Sequence, residues 1–136
     1  MRVFVAATFD ELRTLAADRV VRAGLAAVGV TPAFRESYAA GDDEELAYAA
    51  LAAAAARSQV LVEAGSAERR RVVLACDTED IAPGEDAEAG CLLLTADVPV
   101  ARVAAIHVDD TDVDFSDAEG YELLWFATQE LDTLLA

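Results

Sequence analysis

The feature that most constrains the fold is an alternation of short apolar runs with helix-capping pairs. Three such pairs, in which Thr, Asp or Ser precedes Glu by three residues, are Thr8 with Glu11, Asp42 with Glu45, and Ser116 with Glu119. Each pair satisfies free backbone N–H groups at the start of a helix. Thr31 before Pro32 is a further start signal, for a short helix through Tyr38. The apolar runs are typical of strands covered on both faces; they are Arg2–Ala7, Leu25–Thr31, Val72–Cys76, Cys91–Thr95 and Ala105–Asp110. The pattern predicts an α/β fold.

The order of these elements is strand, helix, strand, two helices, three strands and a helix. It predicts one globular domain over residues 1–136, built as a three-layer helix–sheet–helix sandwich around a mixed sheet of about five strands. A two-layer α+β arrangement is the alternative. The first two strands are expected to be parallel and joined by a right-handed crossover. The strands ending at Cys76 and beginning at Cys91 are expected to pair antiparallel, with the two cysteines opposite each other as thiols.

The final helix is predicted to follow Ser116 and to run through Leu135. At about 100° per residue it has one wide apolar face, formed by Leu123, Leu124, Trp125, Ala127, Leu131, Leu134 and Leu135. Phe126 lies on the opposite, polar side of this predicted helix, near Glu130. An aromatic ring among polar residues is either a contact or a single exposed apolar side chain of the ordinary kind. On the first interpretation Phe126 and Glu130 are candidate partner-binding residues.

The net charge is −16, and all ten basic residues are arginine. This charge disfavours nucleic acid and anionic membranes as partners, because no basic stripe is present to neutralise phosphates. It favours a protein partner, and a homo-oligomer is the alternative. The sequence has no apolar run of membrane-spanning length and no signal-peptide pattern, so we expect a cytoplasmic protein.

The one histidine, His107, lies near the end of an apolar run. In an extended strand Asp109 shares a face with His107 at about 6–7 Å, and a carboxylate at this distance raises the pKa of an imidazole. Glu122, in the first turns of the predicted final helix, is placed to approach the same face. His107, Asp109 and Glu122 are therefore candidate catalytic residues of a small hydrolase or metal-dependent enzyme. The alternative is a structural histidine at the end of a core strand.

Asp110, Asp112 and Asp114 follow this strand at the spacing of the first three ligands of an EF-hand loop. The pattern then fails, because Phe115 replaces the glycine of position 6 and Tyr121 replaces the glutamate of position 12. We keep these three aspartates as a candidate site for a divalent cation, and a solvated acidic turn is the alternative. No other cofactor is predicted.

The single basic cluster is Arg69, Arg70 and Arg71. A phosphate-binding loop would place glycines beside such a cluster, and none are adjacent. We therefore interpret the cluster as a solvated loop that pairs with nearby carboxylates.

Four stretches resemble an actinobacterial family of small acidic proteins of unknown function. They are the opening MRVFVAAT, then Val30–Leu51, Ala105–Asp110 and Tyr121–Leu131. The resemblance implies no activity and therefore no catalytic role. It implies that recognisable family motifs include Arg35, Glu36, Tyr38, His107, Asp109, Glu122, Trp125 and Glu130.

The sequence contains no complete catalytic motif. The leading hypothesis is accordingly a non-enzymatic domain that binds a protein partner or itself, and the enzyme built on His107 is the alternative. The two differ in geometry, because an enzyme should place its three residues around one pocket, whereas a binding module should present an apolar patch.

Overall fold

A computed structural model describes residues 1–38, 41–117 and 122–136 of the chain. The strands are β1 (Arg2–Ala7), β2 (Val20–Val21), β3 (Ala26–Gly29), β4 (Val72–Asp77), β5 (Ile81–Pro83), β6 (Cys91–Leu94), β7 (Val98–Pro99), β8 (Val103–Asp109) and β9 (Leu123–Phe126). The helices are α1 (Phe9–Asp18), α2 (Pro32–Ser37), α3 (Asp43–Gly65) and α4 (Leu131–Leu135). The predicted mixture of helices and strands is confirmed.

Among the described residues, seven strands form one sheet in the order β5-β6-β3-β1-β4-β8-β9, and β2 pairs with β7 apart from it. Every pairing between described strands in the large sheet is antiparallel. The predicted mixed sheet of five strands, and the three-layer sandwich around it, are not confirmed. The parallel crossover is wrong, because β1 and β3 run antiparallel.

The expected hairpin between the two cysteine-bearing strands is also wrong. Strands β3 and β1 lie between β6, which carries Cys91, and β4, which carries Cys76. Both cysteines are free thiols and both are buried. Burial raises the pKa of the Cys76 thiol to about 12. The thiol is therefore protonated and uncharged at neutral pH, and Cys76 behaves as a buried apolar residue.

The sheet has a buried cluster on each face. Alternate residues of β1 divide between them, with Val3, Val5 and Ala7 on the first face and Phe4 on the second. Helices α1 and α4 contribute to the first cluster, and α2 and α3 contribute to the second. Helix α3 packs against β1, β3 and β4. Ala105 of β8 belongs to the second cluster, and Leu123 of β9 packs against it.

The first three helix starts are as the capping signals predict. Thr8 and Glu11 form both halves of a capping box at α1. Thr31 caps α2 with Pro32 as its first residue, and the Asp42 carboxylate accepts the Glu45 N–H at α3. The hydrogen bonds of each cap lie within the first helical turn, so these helix starts depend little on contacts with distant parts of the chain.

The predicted final helix is wrong at Leu123–Phe126. These residues form β9, which pairs with β8, and α-helix begins only at Leu131, after a 3₁₀ turn over Thr128–Glu130. Asp114 accepts the backbone N–H of Ser116 in a 3₁₀ turn, and Glu119, the second half of the predicted capping box, lies outside the described residues. A run of four apolar residues fits a strand and a buried helix equally well, and here the open side of β8 decides between them.

Candidate protein-binding site

Strand β8 carries Asp109 into a buried ion pair at the end of the sheet. Arg71 precedes β4, and its guanidinium donates from Nε and Nη2 to the two Asp109 carboxylate oxygens, each at 2.9 Å. The backbone N–H of Arg71 adds a third bond at 2.8 Å, and Arg70 donates from Nε to the Asp109 carbonyl oxygen. The Asp109 side chain is 1% exposed. Both oxygens of Asp109 are therefore engaged in holding the two chain segments together.

The arginine cluster is consequently more than a solvated loop. Arg71 is largely buried in the pair with Asp109. The guanidinium of Arg69 lies 5.0 Å from the centre of the Phe115 ring, and that of Arg70 lies 4.9 Å from the Phe9 ring. The prediction that the cluster pairs with a carboxylate is confirmed, and the prediction of a solvated position is wrong for Arg71.

His107 lies on the second face of the sheet, between Val73 of β4 and Trp125 of β9. Burial lowers the pKa of His107 from its usual value, with a smaller lowering from the charge of Arg2. The expectation that carboxylates raise the pKa of His107 is therefore wrong. The physical reason is that Asp109 is neutralised by Arg71 while the imidazole itself loses water contact.

Glu122 is exposed and lies immediately before β9. It lines a pocket of about 270 Å³ together with Tyr48, Leu51, Ala52, Ala55, Arg71 and Leu123. Neither His107 nor Asp109 is among these lining residues. The structure thus brings Glu122 to the Arg71 side of the site, and brings His107 beside Trp125.

Asp110, Asp112 and Asp114 are all exposed. Asp114 caps the turn at Ser116, and these hydrogen bonds lower the pKa of Asp114. Over residues 1–38, 41–117 and 122–136, no group of three or more His, Cys, Asp or Glu side chains is arranged to hold a metal ion. A cation site at the three aspartates stays a prediction.

Strand β9 presents its side chains differently from the predicted helix. Trp125 is 62% exposed and Leu124 is 42% exposed, although both were expected in the apolar core face. Phe126, expected on the polar side, packs against the first core cluster opposite Ile106. The alternation of a strand explains the exchange, because Leu124 and Phe126 share one face and Trp125 takes the other.

The two edges of the large sheet differ in composition. Strand β5 is three residues long and ends in Pro83. Strand β9 has four apolar residues with neither charge nor proline, and β8 is its one neighbour among the described strands. Proteins usually protect edge strands with charge, proline or shortness. We call the side of Leu123–Phe126 that faces away from β8 the β9 edge; it is short, and it lacks the protection of a charge or a proline.

The antiparallel sheet with helices packed on it places the chain among mixed α/β domains. Strand β9, at one end of this sheet, consists of four apolar residues. The chain belongs to the family of unknown function DUF6912, whose sequence profile matches residues 1–135. Neither a curated protein nor a solved structure matches it. The predicted membership in a family of unknown function is confirmed, and an actinobacterial origin stays a prediction.

Two further observations bear on partners. No helix in the described part of the chain is long and apolar enough to cross a membrane. Trp125, which the helix interpretation placed in the core, is an exposed residue that sequence reasoning missed. Its strand could have been found by treating LLWF as the antiparallel partner that the apolar β8 needs on its open side.

Proposed function

We propose that this chain is a non-enzymatic protein-binding domain and that it contacts its partner through the β9 edge. The observation that carries the proposal is an edge strand of four uncharged apolar residues on which Trp125 stands largely exposed. Tryptophan is the side chain most enriched among the residues that dominate binding energy at protein interfaces.

The surroundings of Trp125 extend this surface. Leu123 lies on the same face, two residues away, and the pocket beside it is lined by Tyr48 and Leu51 of α3. Tyr48 is itself exposed. Aromatic and aliphatic side chains thus line a concavity together with the charged Arg71 and the exposed Glu122, and interfaces commonly combine an apolar centre with polar residues around it.

Phe126 and Glu130 remain predicted contact residues, in altered roles. Phe126 pairs with Ile106 of β8, and its ring supports β9 from the core side. The exposed Glu130 accepts a hydrogen bond from the Ala127 N–H and so holds the turn after β9.

A catalytic role for His107, Asp109 and Glu122 also stays a prediction, with weaker support. A general base must reach its reacting group, and an orienting carboxylate must reach the base. Both Asp109 oxygens accept from Arg71, and Glu122 lines a pocket to which His107 does not contribute.

Site-specific photo-crosslinking tests the proposal. A benzophenone amino acid replaces Trp125 in one version of the protein and Val60 in another, and adducts are compared after irradiation in cells. Val60, on α3, is the matched control because it is apolar and 67% exposed. We expect discrete adducts from position 125 and none of the same bands from position 60. Identical patterns from both positions, or no adduct from position 125, would contradict a binding surface at β9.

A further inference from the structure

We propose that the occupant of the β9 edge is an extended, positively charged segment of another protein, which adds to the sheet as a strand beyond β9. This inference rests on the proposed function and specifies the chemistry of the partner. The recognised pattern is a basic residue two positions away from a large apolar residue.

The backbone supplies the first part of the recognition. In an antiparallel ladder, alternate residues direct N–H and C=O towards one neighbour, and the residues between them direct theirs to the other side. Because β9 pairs with β8 alone among the described strands, two of its four residues direct backbone groups to the β9 edge. An added strand satisfies these groups, as in other cases of strand addition to a sheet.

The charge of the surrounding chain selects a basic segment. Residues 103–136 include no arginine and nine carboxylates: Asp109, Asp110, Asp112, Asp114, Asp117, Glu119, Glu122, Glu130 and Asp132. Asp109 is paired with Arg71, whereas Glu122 and Glu130, which stand before and after β9, are exposed. A cationic strand would be attracted to this segment, and a like charge would be repelled.

The second face of β9 determines which two side chains of the added strand are recognised. On an added strand, residues two apart lie opposite Leu123 and Trp125. The side chain opposite Leu123 faces the pocket of about 270 Å³ that Tyr48 and Leu51 help to line. Sites for whole small ligands are about 300–1,000 Å³, so this pocket suits a single large apolar side chain better. The side chain opposite Trp125 meets an exposed indole face, which attracts a guanidinium or ammonium group.

A second copy of this chain fits the β9 edge less well. Two chains of charge −16 would meet along segments that carry carboxylates and no arginine. Repulsion between like charges at an interface costs affinity. Pairing of β9 with β9 is therefore treated as a competing outcome of the test.

The test uses the full chain and a seven-residue capped peptide, Val-Arg-Val-Phe-Val-Arg-Val. The peptide reads the same in both directions, so it presents Phe with a neighbouring Arg whether the added strand is parallel or antiparallel. The matched control replaces both Arg by Glu. Binding is followed by the emission of Trp125, the only tryptophan of the chain, and we expect about tenfold or weaker affinity for the Glu peptide and a loss of affinity for the Arg peptide at high salt.

Backbone methylation tests strand addition separately from charge. One version of the Arg peptide is N-methylated at the four Val residues, and another at the other three residues. Because only one edge of the peptide pairs, one pattern should weaken binding about tenfold and the other should leave it unchanged. Equal effects of the two patterns would contradict pairing along a strand.

A pair of variants locates the site. Leu124→Lys places a positive charge beside β9, and Leu61→Lys places one on α3 at a side chain of the same 42% exposure. We expect Leu124→Lys to weaken binding of the Arg peptide, measured by calorimetry, and Leu61→Lys to leave it unchanged. If circular dichroism shows that Leu124→Lys is unfolded, Trp125→Thr, which keeps a strand-forming residue, serves in its place.

The remaining outcomes all decide the question. Equal affinity for the Arg and Glu peptides, or binding of neither, overturns a cationic strand as occupant. Sedimentation as a dimer, with Trp125 emission shifting as the protein is concentrated, overturns it in favour of a second copy. If the peptides fail while position 125 still gives crosslinked adducts, the proposed function stands with a different occupant. If neither peptide binds and position 125 gives no crosslinked adduct, the proposed function fails as well.

Discussion

Asp109 shows how a single buried charge ties chain segments together. Its carboxylate accepts from the side chain and the backbone of Arg71, while Arg35 and Asp43 form an ion pair on the surface. Asp109→Ala is expected to lower the free energy of unfolding by about 3–5 kcal/mol, because it removes a buried carboxylate that accepts three hydrogen bonds from Arg71. Asp43→Ala should cost less than about 1 kcal/mol. Urea unfolding of both variants measures the difference, and similar losses would contradict the assigned role of Asp109.

His107 makes a second prediction at the scale of one residue. Burial lowers the pKa of His107 in the folded state below 6.5, its value in the unfolded chain. As the pH falls, His107 is therefore protonated in the unfolded state before it is protonated in the folded state. The histidine contribution to stability is therefore constant above about pH 6.5 and is lost between that value and the lower folded pKa. NMR titration should give a midpoint below 6.5, and unfolding of His107→Gln should lack this loss. A midpoint above 6.5 would restore the coupled carboxylate site.

The alternation of residues along a strand predicts that His107 and Asp109 share a face, but it does not predict the partner of Asp109. The shared face of His107 and Asp109 follows from alternation along an extended chain, which is local. The partner of Asp109 comes from Arg71, 38 positions earlier, and no spacing rule connects the two. The direction of the His107 pKa shift depends on the burial of the imidazole in the folded sheet, which the spacing of His107 and Asp109 does not reveal, and so the sequence predicts the wrong sign.

Two leucines distinguish the two interpretations of the C-terminal segment. Leu131, in α4, is 2% exposed, whereas Leu124, in β9, is 42% exposed. Leu131→Ala should reduce the free energy of unfolding by about 2–5 kcal/mol, as for other buried leucines. Leu124→Ala should reduce it by about 1 kcal/mol or less. Chemical denaturation of the two variants checks this, and equal large losses would favour the continuous helix instead of β9.

At the scale of elements, sequence reasoning succeeds where the signal is local. Thr8 with Glu11, Thr31 with Pro32, and Asp42 each mark a helix start by satisfying N–H groups within one turn. The fourth signal, at Ser116, did not fix the conformation of Leu123–Phe126, several residues beyond it. There the pairing with β8 outweighs the helical preference of leucine.

The charge of the whole molecule gives a further prediction. At −16 the folded chain repels itself, and this outweighs the surface ion pairs because carboxylates outnumber arginines by 26 to 10. Raising NaCl from about 0.02 to about 0.2 M should raise Tm by about 2–5 °C through screening. Thermal unfolding in sucrose of equal osmolality controls for solute effects. A fall in Tm with NaCl would show that the ion pairs dominate.

The sheet order is what the sequence could not supply. Apolar runs identify the strands of Val72–Cys76 and Cys91–Thr95, but the placement of β3 and β1 between them depends on contacts far apart in the chain. Each run is apolar on both faces, so side-chain patterning does not distinguish one neighbour from another. The error about Cys76 and Cys91 follows directly from assuming that successive strands are adjacent.

Pro83 on β5 has a consequence for polymerisation. A proline in an edge strand keeps the side without an N–H donor away from its neighbour, so β5 is a poor template for a further strand. A sheet open at β9 and blocked at β5 can accept one strand, but two such sheets cannot join head to tail into a growing fibre. On the proposed function, a strand bound at β9 is therefore expected to leave no second open edge, and the complex should not extend into a fibre.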